Sequence, residues 1–380
     1  MSGSGDNGRE LLKELYALAK TSKRLYLIPV LSKSLDILEL LQAENRPMSL
    51  ETIHRRTRIS KTTVYRVLKT FVHRGYLAQS PDGMYRHVMR PKKLRFGFAG
   101  QSADMPFSEE VTRSLRDAAA SAGVDLVELD NRYDAATAVQ NAEEFIRDRV
   151  DLIIEFNVEQ SVAAIIGDKV ASANIPLIAI DIPHPNATYF GVDNYRVGVD
   201  AGEMLARHAQ TEWNGKVDRV IGLDLPEAGL LVQGRISGAF EAVRSAFPEL
   251  GADVFLRLDG RGMRETSARL ITEYLENHPR ERHILVAAAT DTSALGAVDA
   301  ARQLKRQRHL VVVGQDCIAE ALEEIESGTS PLIASVSHET NAYGPNLMQL
   351  GLSLLKGQIV PPYNYVSHKL VTRTLSQQEA

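Results

Sequence analysis

The chain of 380 residues holds one cysteine, Cys317, and one tryptophan. A single cysteine excludes an intramolecular disulfide and fits a reducing compartment. No run approaches the roughly 18 apolar residues of a membrane span. The opening MSGSGDNGRELLKELYALAK lacks a basic start, an unbroken apolar core and an Ala-x-Ala-like cleavage site, so no secretory signal is expected. Catalytic signatures are missing as well. There is no Gly-x-Ser-x-Gly elbow, no Walker loop and no cluster with metal-ligand spacing. GFAGQS places glycines after a strand without the full dinucleotide fingerprint, and no acidic pair has a spacing that assigns an acid and a base. The expectation is a cytoplasmic protein that is not an enzyme and carries no metal and no cofactor.

What is present is ordinary in bulk and uneven in distribution. Hydrophobic residues make up 44% and charged residues 24%, as in soluble globular proteins. The length suits a small domain plus a larger two-lobed one. The net charge of −4 hides an asymmetry. Residues 1–95 carry 19 Lys and Arg against 8 Asp and Glu, and the remainder carries 25 against 40. A basic head on an acidic body points to a polyanionic partner for the head.

Four segments are read in the head: an amphipathic helical arm, a winged-helix core, its wing and a linker. The arm falls within residues 1–24, with Leu12, Leu15 and Leu18 on a helix over 9–24. Residues 25–88 form the second unit. Leu35, Ile37, Leu38, Leu40 and Leu41 make a helical stripe that ends at Asn45-Arg46-Pro47. Ser49 then caps a short helix, with Thr52 at the capping-box position, and Ser60 caps a third helix whose buried stripe is Val64, Val67, Leu68, Phe71 and Val72. Gly75 stops it. Two strands around Pro81-Asp82-Gly83 form a hairpin. Two short helices, a tight turn and a longer helix make a helix-turn-helix. Ser60, Lys61, Thr62, Thr63, Tyr65, Arg66 and Lys69 at the start of its third helix are types that bond phosphates and base edges. The segments SLDILELL, LETIHRRTRISKTTVYRVLKTFVHRGYL and DGMYR resemble the DNA-binding domain of the IclR-type regulators. That resemblance implies double-stranded operator DNA as a partner. Residues 89–94 are a short basic linker, and its RPKK is too short for a minor-groove hinge helix.

From Leu94 the pattern alternates strand and helix, which predicts parallel sheets with helices on both faces. Strands are read at 94–100, 125–130, 150–156, 176–181, 217–225, 253–258, 283–289, 310–316 and 332–338. Helices fall at 107–122, 137–149, 161–173, 231–246, 264–278, 293–305 and 318–327. ADMPFSEEV, ANIPLIAID, FGVDNYRVGVDAGEML, QGRISGAFEAV, TDTSALGAVDA and VVGQD stand in order along this stretch. Together they resemble the ribose-binding-protein-like family, also used as the sensor of lac-repressor-like regulators. The fold class is α/β: a winged helix-turn-helix followed by two Rossmann-like lobes, the periplasmic binding protein type 1 fold. The resemblance implies that residues 95–376 form the lobes, lobe 1 over about 95–192 and 339–365, lobe 2 over about 193–338 and 366–376.

Ligands of open α/β sheets bind beyond the carboxyl ends of strands. The polar residues there are Gln101, Ser102, Phe107, Glu155, Asn157, Asp181, Gln233, Arg235, Thr290, Asp291, Asp316 and His338. Carboxylates and amides pair with vicinal hydroxyls, Arg donates two parallel bonds, and aromatic rings cover an apolar sugar face. The resemblance implies ligand contact at Phe107, Asp181, Gln233 or Arg235, Thr290, Asp316 and His338. Met105, Ile182, Thr290 and Gln315 depart from the family pattern, so ribose itself is not the expected effector. Asp193 and Asn194 also suit a cap at the crossover, and Asp291 suits an N-cap. The whole reads as a regulator, expected as a homodimer, in which a sugar-like effector closes the lobes and alters operator affinity. A solute-capture protein of a sugar transporter is the alternative, disfavoured by the DNA-reading head.

Overall fold

The computed structural model describes residues 28–44, 46–88 and 93–373. The arm helix expected over 9–24 and most of the linker lie outside them. The chain divides into two compact units, residues 1–92 and 93–380.

In the first unit, α1 (Pro29–Glu44), α2 (Leu50–Thr57) and α3 (Lys61–His73) precede an antiparallel hairpin of β1 (Leu77–Gln79) and β2 (Tyr85–His87). The caps follow from side-chain chemistry. Ser49 Oγ accepts from Thr52 N at 3.2 Å, and Ser60 Oγ accepts from Thr63 N at 3.4 Å. Gly75, at φ +73°, ends α3 in the left-handed region that glycine enters without strain. One core joins the elements: Ile37 and Leu41 of α1, Ile53 of α2, Val64, Val67 and Leu68 of α3, and Leu77 and Tyr85 of the hairpin. The turn after α1 is tied to the wing by a two-way backbone bridge between Met48 and Tyr85, both bonds 2.8 Å.

The second unit has two six-stranded sheets. In lobe 1 the strands are β3 (Arg95–Gly100), β4 (Asp125–Asp130), β5 (Leu152–Glu155), β6 (Leu177–Ile180), β7 (Thr188–Gly191) and β13 (Tyr363–Tyr365). They lie in the order β13-β7-β6-β5-β3-β4 and are all parallel. Helices α4 (Pro106–Ala122), α5 (Ala135–Arg147) and α6 (Ala163–Ser172) alternate with them, and α12 (Tyr343–Leu355) packs on α4. In lobe 2 the order is β14-β12-β11-β10-β8-β9. Its strands are β8 (Arg219–Asp224), β9 (Phe255–Asp259), β10 (Ile284–Ala288), β11 (Leu310–Gln315), β12 (Leu332–Ser337) and β14 (Lys369–Thr372). Only β14 runs antiparallel, against β12. The helices are α7 (Asn194–Glu212), α8 (Leu230–Ala246), α9 (Arg264–Asn277), α10 (Asp291–Gln303) and α11 (Ala319–Ser327).

The chain crosses between sheets three times, after β7, after β12 and between β13 and β14. Strands β3, β5, β6, β8, β10, β11 and β12 read as apolar runs and are buried along most of their length, as parallel strands covered on both faces must be, whereas the edge strands β4 and β9 are only partly buried. The expected alternation passes over β7, α7, α12, β13 and β14. Tyr189 and Phe190 of β7 are buried core.

Helices α7 and α8 pack with their backbones in contact. A methyl added at Gly198 or Gly202 would overlap the carbonyls of Arg235 or Ala239, and one at Gly238 would overlap that of Tyr195. Only glycine permits that approach. It fixes the backbone of Arg235 directly behind the site.

Candidate functional site

In each sheet the order reverses about one strand: β3 lies between β4 and β5, and β8 lies between β9 and β10. Crevices open beyond such switch points. The carboxyl ends of both sheets meet a narrow cavity of about 50 Å³. Lobe 1 lines it with Gln101 after β3, Met105, Pro106 and Phe107 at the start of α4, Tyr133 after β4, Phe156, Asn157 and Val158 after β5, and Asp181 and Ile182 after β6. Lobe 2 adds Leu225, Ala228, Val232, Arg235, Thr290, Thr292, Asp316 and Ile318.

Arg235 is the buried cation of this wall. Its Nε donates to Asn194 Oδ1 at 2.7 Å and its Nη1 to the Ala289 carbonyl at 2.9 Å, while Nη2 stands 3.9 Å from Asp181 Oδ2. Burial pushes the Asp181 carboxyl up from its ordinary range, against the pull of the Arg235 guanidinium. Asp316 rises further, because burial is joined by the nearby Asp291 and Asp181 carboxyls and offset only in part by Arg235. Both aspartates have left-handed backbones, φ +59° and +109°, a conformation that side-chain-bearing residues hold only where the surroundings impose it. Asn157 Oδ1 and Asp181 Oδ1 are buried acceptors without a hydrogen-bond partner, an uncommon state for buried polar atoms.

Seven of the expected ligand residues therefore share one cavity: Gln101, Phe107, Asn157, Asp181, Arg235, Thr290 and Asp316. The structure corrects the placement of the other five. Ser102 is tied into the turn before α4, where its N–H donates to Ser108 Oγ and its Oγ accepts from Asp104 N. Glu155 is fully buried under the cavity floor. It accepts from Asn131 Nδ2 at 2.8 Å, Asn131 in turn accepts from Asn141, and burial pushes the Glu155 carboxyl up to about 8. Gln233 reaches back to the Pro226 carbonyl at 3.5 Å. The Asp291 carboxylate accepts from Ser335 Oγ and from Ile318 N, which holds the loop carrying Asp316. His338 is fully buried, with Nδ1 3.6 Å from Asp316 Oδ1 and its ring 5.5 Å from that of Phe107. Burial and the Arg235 charge keep it neutral. It supports two lining residues rather than the cavity itself.

The caps are also redistributed. Thr290, not Asp291, caps α10 by accepting from Ser293 N at 3.2 Å, and Asp193 caps α7 by accepting from Arg196 N at 3.2 Å. Cys317 is half-buried and bonded through its N–H to Ser335 Oγ. Among the described residues, no group of three or more His, Cys, Asp and Glu side chains could hold a metal ion.

On the head, Lys61, Thr62, Tyr65, Arg66 and Lys69 are exposed on α3. Their spacings of three and four place them on one broad helical face. Lys61 pairs with Glu51 at 2.7 Å, and Lys69 donates to Gln79 Oε1 at 3.0 Å with its ammonium 5.8 Å from the Tyr65 ring centre. Ser60 and Thr63 are engaged with each other in the cap, hydroxyls 2.9 Å apart. Of the basic residues on α2, Arg56 pairs with Glu44 at 2.6 Å.

The fold and site thus define a two-lobed, three-crossing ligand-binding architecture preceded by a winged helix-turn-helix. The periplasmic binding protein domain model matches residues 96–359, and the chain belongs to that family; the IclR helix-turn-helix domain model matches residues 30–81. Among solved structures, an ABC transporter solute-binding protein from Bacillus halodurans C-125, with bound myo-inositol, superposes at TM-score 0.67 and 20% identity over 77% of this chain and 99% of its own. One from Actinobacillus succinogenes 130z, with bound D-allose, gives 0.66 and 20% over 75% and 100%. One from Agrobacterium vitis, with bound allitol, gives 0.66 and 17% over 75% and 97%. No curated protein matches the sequence. Among the described residues, no helix is long and apolar enough to cross a membrane.

Proposed function

We propose that the protein is a cytoplasmic, homodimeric transcription regulator that binds DNA through the head and an uncharged sugar or related polyol between the lobes. It acts by binding and not by catalysis. The observation that carries this reading is the union, in one chain, of an exposed basic recognition helix with a cavity whose polar wall is Arg235 between Asp181 and Asp316. Two carboxyl groups face one guanidinium already engaged with Asn194 and the Ala289 carbonyl. Such a wall suits hydroxyl groups and disfavours phosphates and sugar acids. The relatives solved with D-allose, myo-inositol and allitol support a polyhydroxylated effector.

A thermal-shift panel of monosaccharides, polyols, sugar acids and sugar phosphates tests the reading, because a ligand of the folded state raises Tm by mass action. A rise of several degrees with an uncharged member is expected, together with altered operator affinity. A response confined to phosphates or acids overturns the assignment. Light scattering after size exclusion tests the dimer, and a monomer with and without DNA counts against it.

A further inference from the structure

The two lobes end their edge strands in matching loops. After β4 the chain reads Asp130-Asn131-Arg132-Tyr133, and after β9 it reads Asp259-Gly260-Arg261-Gly262. In each loop the first aspartate accepts the N–H two residues on, Arg132 at 2.7 Å and Arg261 at 3.1 Å. The last two residues of each are left-handed, at φ +53° and +55° in one loop and +55° and +66° in the other. The loops face each other across the cleft. Tyr133 Oη donates to the Arg261 carbonyl at 3.2 Å, and a methyl at Gly262 would come within 2.9 Å of Tyr133 Oη. The tyrosine of one loop is a knob, and the glycine of the other is the space it fills.

Both sides are anchored. Asn131 is held by the buried Glu155 and the Phe156 carbonyl, and the Gly262 carbonyl accepts from Thr292 Oγ1 at 2.7 Å. Tyr133 and Thr292 also line the cavity. The Tyr133 hydroxyl is spent on the opposite lobe, so what it offers a ligand is its ring. Burial and the neighbouring Glu227 charge push that phenol up to about 12, so it remains a donor at neutral pH.

We propose that Tyr133 is both a ligand-contacting residue and the bolt that holds the lobes closed, so that a ligand packed on its ring favours the closed form. The ligand half rests on the effector reading above; the bolt half does not. The test is the closed-to-open ratio of the full chain, read by pulsed electron paramagnetic resonance. Nitroxides are carried on Asp168→Cys in lobe 1 and Glu326→Cys in lobe 2, in a Cys317→Ser background.

Without added ligand, Tyr133→Phe is expected to lower the ratio about fivefold, the worth of one hydrogen bond. Gly262→Ala is expected to lower it at least as far. With myo-inositol as the probe, the unsubstituted chain is expected to shift toward the closed distance, Tyr133→Phe, which keeps the ring, to shift by a similar factor from its lower starting ratio, and Tyr133→Ala, which removes the ring, to shift less. A distance distribution identical in all four chains, with and without the probe, overturns the bolt. A fall in the ratio in Tyr133→Phe and Gly262→Ala, together with no response to myo-inositol or to any uncharged member of the panel, keeps the bolt and removes the effector reading.

Discussion

The head and the cleft use similar side chains in opposite ways. On α3, Lys61, Tyr65, Arg66 and Lys69 stand in solvent, where each charge is hydrated and a lost neighbour is replaced by water. Around the cavity, Arg235 is 5% exposed and held in a buried network: Asn194 and the Ala289 carbonyl hold the guanidinium, and Asp291 holds the loop of Asp316. The difference teaches where substitution is felt. An exposed face reads long-range charge and tolerates change in its own fold, whereas a buried wall is a network in which one removal strands several partners.

The largest effect is therefore expected for Arg235→Ala. It strips an amide and a carbonyl of their common donor, leaves the buried Asp181 carboxyl without its cation, and should cost about 3–5 kcal/mol. Denaturant unfolding of the body checks this, and a loss below 1 kcal/mol would mean that the wall is not a network. Next comes Leu41→Ala in the core of the head, expected at about 3 kcal/mol. It should abolish DNA binding while leaving any ligand-induced rise in Tm intact. Loss of both would show that the two units do not unfold independently.

A smaller effect has a sign set by pH. The Glu155 carboxyl is raised from 4.5 to about 8 by burial. Between those values the folded chain holds a proton that the unfolded chain has released, so stability falls as pH rises through the window. Glu155→Gln should flatten that slope, read as Tm against pH, and an unchanged slope would assign it to other groups. The smallest effect on folding belongs to Arg66→Ala combined with Lys69→Ala, within about 0.5 kcal/mol. Binding to operator DNA should nonetheless weaken, with the salt dependence reduced by about two phosphate contacts. Unchanged DNA affinity would displace the recognition face from α3.

Much of this was legible before any coordinates. Apolar runs flanked by glycine and polar turns marked the buried parallel strands, and Ser49, Ser60 and Gly75 marked helix ends, because caps and periodicity are local. The elements passed over are those whose reason is distant. β13 is three residues long and exists because β7 offers it an edge, and the glycines of α7 make sense only against the backbone of α8. At the site, strand ends identified the right places but not the depth. Glu155 and Asp291 lie one layer below the cavity, a distinction that spacing along a strand does not carry. Tyr133 was invisible because its partner, Arg261, is 128 residues away.

The three crossings also order events in time. Every element of the winged helix has been made once residue 88 leaves the ribosome, whereas lobe 1 lacks its β13 edge until residue 365 and lobe 2 lacks β14 until residue 372. Folding during synthesis proceeds from the N-terminus by complete units. A nascent chain can thus carry a finished DNA-reading head some 280 residues before it has a finished sensor, and ribosomes stalled anywhere in that interval would release a head that no effector can address.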